Sequence, residues 1–483
     1  MQRSPLFYQA RAAEETRQFR EARRAYERLA ATGGDADEAW YAAYRAGRCS
    51  LELDEWDTAI AQLMRAWERR PTRAEPLYHL ARQARVRGDA HLAMLAAERA
   101  RRIPLPAGDR LFIESPSYTY GPLEEIAIAA YYTGETDRGM AAIDALLHRD
   151  DVPEPVRELA GNNAAFYAQP LPAAWSAPIE LTPDFGDLSY APGNSTIWRD
   201  EQGFLVIVRL RNYGQNTEIW SVSPDADGHV RSRNAQLRLD HDFRIESSQE
   251  VDCSLVEQLR PPSGSLIQGI EDLRLIRWDD AWWFVACSCS FTPAGRPGLV
   301  LGRFDDAVSR VEYLVPLVYA RSRVEEKNWT PFIHENRLLL IYSYDPLVIL
   351  EPDLDTGVCR EIHRAAPEQN FTRYRGSSAV VPYGDRMLFT IHEVPVVRGQ
   401  RAYLHRFVEM DRQFRITRVS RLFNFWHLGA EYNCGIALNH AGDALLLTCS
   451  YEDRQASLVN LPLAELERML LPVDALLGAE RAH

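Results

Sequence analysis

The chain has 483 residues and a formal net charge of −13. That length calls for two or more domains, or a domain joined to a repeat array, and the acidic balance argues against a nucleic-acid partner, because gripping a phosphate backbone needs a positive footprint. No run of 18 apolar residues is present to span a membrane, and the opening Met1-Gln2-Arg3-Ser4-Pro5 lacks the apolar core of a signal peptide, so a cytoplasmic location is expected.

Residues 1 to about 165 are rich in Ala and Arg and helical in period. Ala25, Ala59 and Ala93 fall 34 residues apart. Gly47, Ala59, Leu63, Ala66 and Pro71 take the spacing of a tetratricopeptide repeat: a small residue late in a first helix, Ala, a large apolar residue and Ala on a second, then a terminating Pro. Ala81, Ala93 and Ala100 repeat the pattern, and a further unit is expected over Leu123 to His148, offset by an insertion around Ser115 to Gly121. Small residues at these places let paired helices approach closely, and each pair buries its remaining apolar face on the next. Such a scaffold is a candidate site for a peptide or protein partner.

Residues 166–182, with three prolines and little charge, read as a linker. Beyond it, aromatic and β-branched residues rise, and apolar runs of four to seven residues recur between turn signals. A leading strand, a polar turn and a strongly apolar strand repeat five times: Ser195–Trp198 then Phe204–Val208, Leu273–Trp278 then Trp282–Cys287, Trp329–Ile333 then Leu338–Tyr342, Ser378–Tyr383 then Met387–Ile391, and Tyr432–Leu438 then Ala444–Cys449. The fold class expected is therefore α plus all-β and multidomain. Tetratricopeptide-like helical repeats (1–165) and the linker would precede a five-bladed β-propeller (183–470) and a C-terminal tail (471–483).

The chemistry-bearing residues cluster where the leading strands of a propeller would face its channel. They include Asn194 and Arg209, Glu271, Asp272 and Arg274, Lys327, Asn328 and Asp345, Arg375, His392 and Glu393. Carboxylates that exchange protons with hydroxyls, beside cations that hold an anion, suit a sugar or phosphate site. Lys327 stands out further. Of 55 basic residues it alone is lysine, and a compact ammonium suits phosphate as a point charge. The seven cysteines are odd in number and scattered, with neither metal-ligand spacing nor a disulfide framework, so no metal or cofactor is expected.

Gly269-Ile270-Glu271-Asp272-Leu273-Arg274 resembles the Gly-x-Glu-Asp-Pro-Arg motif of the five-bladed propeller family of β-mannoside phosphorylases, inverting β-mannosidases and β-mannosyltransferases. Glu326-Lys327-Asn328 resembles that family's Glu-Lys-Asn segment, Arg375-Gly376-Ser377-Ser378 with Leu388 to His392 its Gly-rich strand and Tyr-His-Gly strand end, and Asn194-Ser195 with Arg209 its first-blade Asn-Pro and Arg. The likeness covers roughly residues 185 to 465. It implies that Asp272 is the proton donor to the departing glycosidic oxygen, directly or through a sugar hydroxyl. By the same likeness Lys327 and His392, with Arg375, would bind phosphate or the phosphate of a sugar donor, while Asn194 and Arg209 would line the sugar site. The implied ligands are a sugar and phosphate, or a sugar phosphate. Leu273 stands where the family has Pro, and Glu393 where it has Gly. An inverting hydrolase with Asp272 as acid and Glu393 as base, and a non-catalytic glycan- or protein-binding scaffold, remain as alternatives.

Overall fold

The computed structural model describes residues 4–32, 35–109, 112–149, 151–181, 190–215, 220–222, 230–259, 267–292, 294–323, 325–367, 371–397 and 399–473. They fall into two compact units that divide between Tyr167 and Ala168.

The first unit is helical: α1 (Pro5–Glu15), α2 (Phe19–Ala31), α3 (Ala36–Glu52), α4 (Trp56–Arg69), α5 (Glu75–Arg87), α6 (Ala90–Arg101), α7 (Gly121–Thr133), α8 (Thr136–His148) and α9 (Glu154–Asn163). Local chemistry sets the boundaries. Asp35 caps α3 by accepting from the Asp37 amide at 2.7 Å, and Gly88 ends α5 in the left-handed region at φ 85°. The alanines one period apart are buried, at 2% exposure for Ala25 and 0% for Ala59 and Ala93. A methyl group on Gly47 would stand 2.8 Å from Leu63 Cδ2, so the α3–α4 pair closes only because that position has no side chain. Helices pack in sequential antiparallel order, and the odd-numbered α1, α3, α5, α7 and α9 also touch one another.

The second unit is a propeller-like set of antiparallel sheets. Four have the size of a blade. The first comprises Ala191–Asp200, Gly203–Arg211, Val230–Leu239 and Ile245–Glu250, with Ile267–Gly269 added in parallel to the third of these. The next two are four-stranded meanders, over Glu271–Pro316 and Thr330–Ala365. The last comprises Glu431–Leu438, Ala444–Tyr451 and Gln455–Pro462 and is completed by Trp175–Pro178, which pairs as its outer strand. The five repeating strand pairs are present, but the expectation of five similar four-stranded blades needs correction at the fourth unit. There Arg375–Gly376, Val381–Tyr383, Arg386–Glu393, Leu404–Met410, Ile416–Ser420 and Phe423–Asn424 join Gln169–Pro170 and Leu470–Pro472 in one eight-stranded sheet. The reason is chain economy: segments from both ends of the unit find their hydrogen-bond partners on this sheet's outer strands.

The same pairings correct the expected linker. Gln169–Pro170 and Trp175–Pro178 are strands of the second unit, and the prolines sit at sheet edges, where a missing N–H costs nothing. Of the expected C-terminal tail, Leu470–Pro472 is a strand and 474–483 lie outside the described residues. Apolar side chains fill the layers between neighbouring sheets, for example Leu205, Ile207, Leu273, Phe284 and Val300 between the first and second. Buried hydroxyls stitch the first sheet to its neighbours on both sides. Leu275 donates its amide to Thr196 Oγ1 at 3.3 Å, and the Thr448 hydroxyl donates to the Ser195 carbonyl. Among the described residues no helix is long and apolar enough to cross a membrane.

Candidate active site

The second sheet opens with the local distortion on which the site rests. Its first two strands pair Glu271 with Cys287 and Arg274 with Val285, with a bulge between. Asp272 occupies that bulge at φ 50°, the left-handed region that non-glycine residues enter at a cost and which bulges use to re-aim a side chain. The Asp272 carboxylate therefore leaves the blade and meets the first sheet. Oδ1 accepts from Asn194 Nδ2 at 2.7 Å and from Arg209 Nη1 at 2.8 Å. Arg209 also stands 3.2 Å from Glu271 and donates to Ser232 Oγ at 3.1 Å. Asn194 is fixed in turn by the hydroxyl of Ser450, from the last sheet.

Arg274 is fully buried and acts as a fastener. Nε donates to the Ser377 carbonyl at 2.7 Å, Nη1 to the Asp272 carbonyl at 2.9 Å, and Nη2 to Tyr432 OH at 2.7 Å and Asn328 Oδ1 at 3.3 Å. Tyr432 OH donates to the same Asn328 oxygen at 2.8 Å. One guanidinium so ties together the second, third, fourth and last units, holding the Asp272 backbone from below. The hydrogen bonds of Arg274, which the sequence pattern offered as a substrate-binding residue, run to groups inside the protein. That arrangement also excludes a surface turn in which Arg274 pairs with the Asp272 carboxylate, because the carboxylate's partner is Arg209.

Lys327 and Asn328 precede the third sheet's first strand. Asn328 takes φ 65°, and Glu326 anchors the segment by accepting from Trp329 Nε1 at 2.9 Å and Tyr342 OH at 3.1 Å. Lys327, Asn328, Asp345 and Arg375 line one cleft of about 120 Å³, with Tyr344 in its wall. Lys327 and Arg375 are both exposed there. The fields of the two groups interlock. Burial would raise the Asp272 carboxyl, yet Arg209 and Lys327, with the Asn194 hydrogen bond, hold it below its ordinary value. Crowding would lower the Lys327 ammonium, but Cys287, Glu271 and Asp272 outweigh that and hold it above its ordinary value. At neutral pH the site holds a carboxylate and an ammonium.

Two expected residues behave differently. His392 is buried, and burial, followed by His405 and Arg274, pushes it well below the usual histidine range. It is neutral, with Nδ1 2.8 Å from Ser377 Oγ and its ring against Tyr403 and Tyr432, so it brings no charge to an anion. Glu393 follows His392 on the same strand and so points to the opposite face. Its carboxylate is engaged by Arg373 Nε at 3.0 Å and Tyr374 OH at 3.2 Å, not by Arg375 or Lys327. That pairing removes the repulsion of phosphate that an isolated Glu393 would exert, and it occupies the group an inverting hydrolase would need as base.

No family model and no curated protein matches the sequence. Among solved structures, the chain is similar to a β-1,2-mannobiose phosphorylase from Listeria innocua in complex with β-1,2-mannobiose, at 13% identity and a TM-score of 0.41 over 61% of this chain and 96% of that one. A mannose phosphorylase from Leishmania mexicana in complex with phosphate is similar at 9% identity and a TM-score of 0.43, over 63% of this chain and 92% of that one. A GDP-Man-dependent mannosyltransferase from the same organism is similar at 8% identity and 0.38, over 60% and 90%.

Sequence reasoning missed Tyr432, Ser450 and Ser232. Tyr432 and Ser450 were readable only as strand residues of the last repeat. Nothing in their spacing signals that they close a network begun more than 150 residues earlier. Ser232 lies on Val230–Leu239, where Arg231, Arg233, Asn234, Gln236 and Arg238 are polar as well, so its polarity set it apart from nothing.

Proposed function

We propose that the second unit is a carbohydrate-active enzyme that forms or breaks a glycosidic bond, a β-mannoside by the motif resemblance, with phosphate or a sugar phosphate as the other reactant. In this reading the eight-stranded sheet serves as the fifth blade of the propeller, and the helical hairpins are tetratricopeptide-like. The observation that carries it is the ionised Asp272, aimed by its bulge out of the second sheet and electrostatically coupled to the exposed Lys327.

The charge state sets the direction in which each group works. As a carboxylate, Asp272 is ready to accept the proton of an attacking sugar hydroxyl. That hydroxyl oxygen bonds to the anomeric carbon as the bond from carbon to phosphate oxygen breaks. The departing phosphate takes up the bonding pair, and Lys327 and Arg375 hold its charge at the cleft. In the reverse direction a protonated Asp272 returns the proton to the leaving oxygen while phosphate attacks. Asn194 and Arg209 orient the carboxylate. With Asp272 held ionised, the synthetic direction starts from the carboxylate as it stands, whereas the reverse direction starts from a carboxyl that must first be protonated against two cations.

The test is release of phosphate from mannose 1-phosphate and of GDP from GDP-mannose with a panel of acceptor sugars, together with phosphate-dependent cleavage of β-mannosides. Wild-type turnover should fall roughly 100- to 10,000-fold in Asp272→Asn, the range for loss of one general acid–base group. No turnover in either direction across both donors would overturn the reading and leave a binding scaffold.

A further inference from the structure

Residues 371–376 form part of the cleft wall: Phe371, Tyr374, Arg375 and Gly376 line it together with Lys327 and Asp345. The two ends of this segment are fixed on the third sheet. The Phe371 amide donates to Asp345 Oδ2 at 3.3 Å, and Gly376 packs so closely that a methyl group on it would stand 2.4 Å from the Asn328 carbonyl. Between the ends runs a turn, closed by the Tyr374 amide donating to the Phe371 carbonyl at 2.9 Å. Arg375 pairs in register with His392, so alternation places Tyr374 beside Glu393 on the other face of the strand pair.

Glu393 takes hold of that turn. Tyr374 OH donates to Oε1 at 3.2 Å, and Arg373 Nε stands 3.0 Å from Oε2. The same tyrosine hydroxyl accepts from Arg406 Nε at 2.7 Å, and the buried Arg406 is anchored in turn by donating Nη1 to the Ser420 carbonyl at 2.8 Å. The hydroxyl is thereby fixed as donor to the carboxylate and acceptor from the guanidinium. Glu393 is 3% exposed. A carboxylate at that depth is costly unless it is paired, and the partners here are two consecutive residues of the turn, directly before Arg375. An apolar side chain would close the strand end without engaging either.

We propose that Glu393 is a positioning residue for the anion held in the cleft. Through Arg373 and Tyr374 it fixes the turn that delivers Arg375, so it acts on affinity for the phosphate group and not on proton transfer at Asp272. The proposal rests on the reading of this cleft as the phosphate site.

Two measurements on the full chain test it: calorimetric titration of inorganic phosphate, and the split between KM and kcat with mannose 1-phosphate varied at a fixed acceptor sugar. Glu393→Gln keeps an oxygen for Tyr374 but removes the charge beside Arg373. It should weaken phosphate binding and raise KM about tenfold while kcat stays within about twofold, the signature of lost binding that ground state and transition state share. Glu393→Asp restores the charge and should recover part of the affinity. Unchanged phosphate affinity and KM in a folded Glu393→Gln would overturn the proposal and leave the phosphate reading standing. A lower kcat at unchanged KM would also overturn it, because that marks a smaller folded fraction and a purely structural role. Wild type that neither binds phosphate nor turns over mannose 1-phosphate would remove the phosphate reading, and the proposal with it. If Glu393→Gln unfolds, Tyr374→Phe decides. Weaker phosphate binding in that variant supports positioning, whereas unchanged binding, or unfolding there too, overturns it.

Discussion

Arg209 and Asp272 lie 63 residues apart in sequence and meet at 2.8 Å, with Glu271 on the same guanidinium at 3.2 Å. One cation thus balances two nearly buried carboxylates on the neighbouring sheet. Removing it leaves charges that cannot return to water. Arg209→Met should therefore cost about 3–5 kcal/mol, the range for breaking a buried pair from one side. The sign of the pH response follows. In wild type the lowered Asp272 pKa stabilises the fold above the unfolded carboxylate value and that contribution is lost as pH falls through the folded one. Without Arg209 burial dominates and raises Asp272, so the deficit should shrink on acidification. Urea denaturation of both proteins at pH 7 and pH 5 measures this. Adding Asp272→Asn to Arg209→Met should restore part of the loss.

Gly376 supplies a second prediction. A methyl group there would stand 2.2 Å from Thr330 Oγ1 and 2.4 Å from the Asn328 carbonyl. Neither can move freely, because Thr330 bonds Tyr344 at 2.7 Å and Asn328 is held by Arg274 and Tyr432. Gly376→Ala should cost about 1–3 kcal/mol by overpacking and shift Lys327's neighbour at the cleft. A thermal melt alongside the glycosyl-transfer assay checks it. A fully active, fully stable variant would show that the third and fourth units do not meet as closely as the structure places them.

Much of this was legible in the chain. The strand pairs announced themselves because each repeats an apolar run after a polar turn. Asp272, Lys327 and Asn328 stood out because polar residues immediately before buried strands need a reason. What the chain could not reveal was partnership across sheets. Arg274 reads as a substrate cation, yet its contacts with Ser377 and Tyr432 span 103 and 158 residues. Glu393 reads as a free acid until Arg373 is seen beside it. The eight-stranded sheet was hidden for the same reason: strands of two or three residues, such as Gln169–Pro170, carry no periodicity and exist only through their partners.

His405 gives a prediction about acid. It is buried between Phe423 and Phe425, with Nε2 3.1 Å from the Glu431 carbonyl, and burial pushes it down to about 4. The folded state keeps it neutral while the unfolded chain binds a proton below about 6.5. Its stabilising contribution is therefore complete above that pH and lost as pH falls toward 4. The slope from this one group is about 1.4 kcal/mol per pH unit. His405→Asn should remove that slope from denaturation midpoints measured between pH 6.5 and 4.5, leaving the parallel contribution of His392 in place. An unchanged slope would mean that His405 is already charged in the fold.

The chain's single lysine is the sharpest test of the site. Lys327 is exposed at the cleft, while its ammonium is held charged by Glu271 and Asp272 beside it. If it holds phosphate as a point charge, Lys327→Arg should be damaging although charge is kept, because the guanidinium is larger and its donors lie in a fixed plane. The adjoining Asn328 is already engaged by Arg274 and Tyr432 and cannot yield space. Loss of one such contact costs about 2–4 kcal/mol of transition-state stabilisation, or roughly 30- to 1000-fold in rate. The melting temperature should stay within a few degrees, since an exposed cation buries little apolar surface. Rates and melts for Lys327→Arg and Lys327→Ala separate the outcomes. Full activity in both variants would make the lysine dispensable, and a collapse of the fold would make it structural. Activity lost with the fold intact is the outcome expected of a phosphate-holding ammonium.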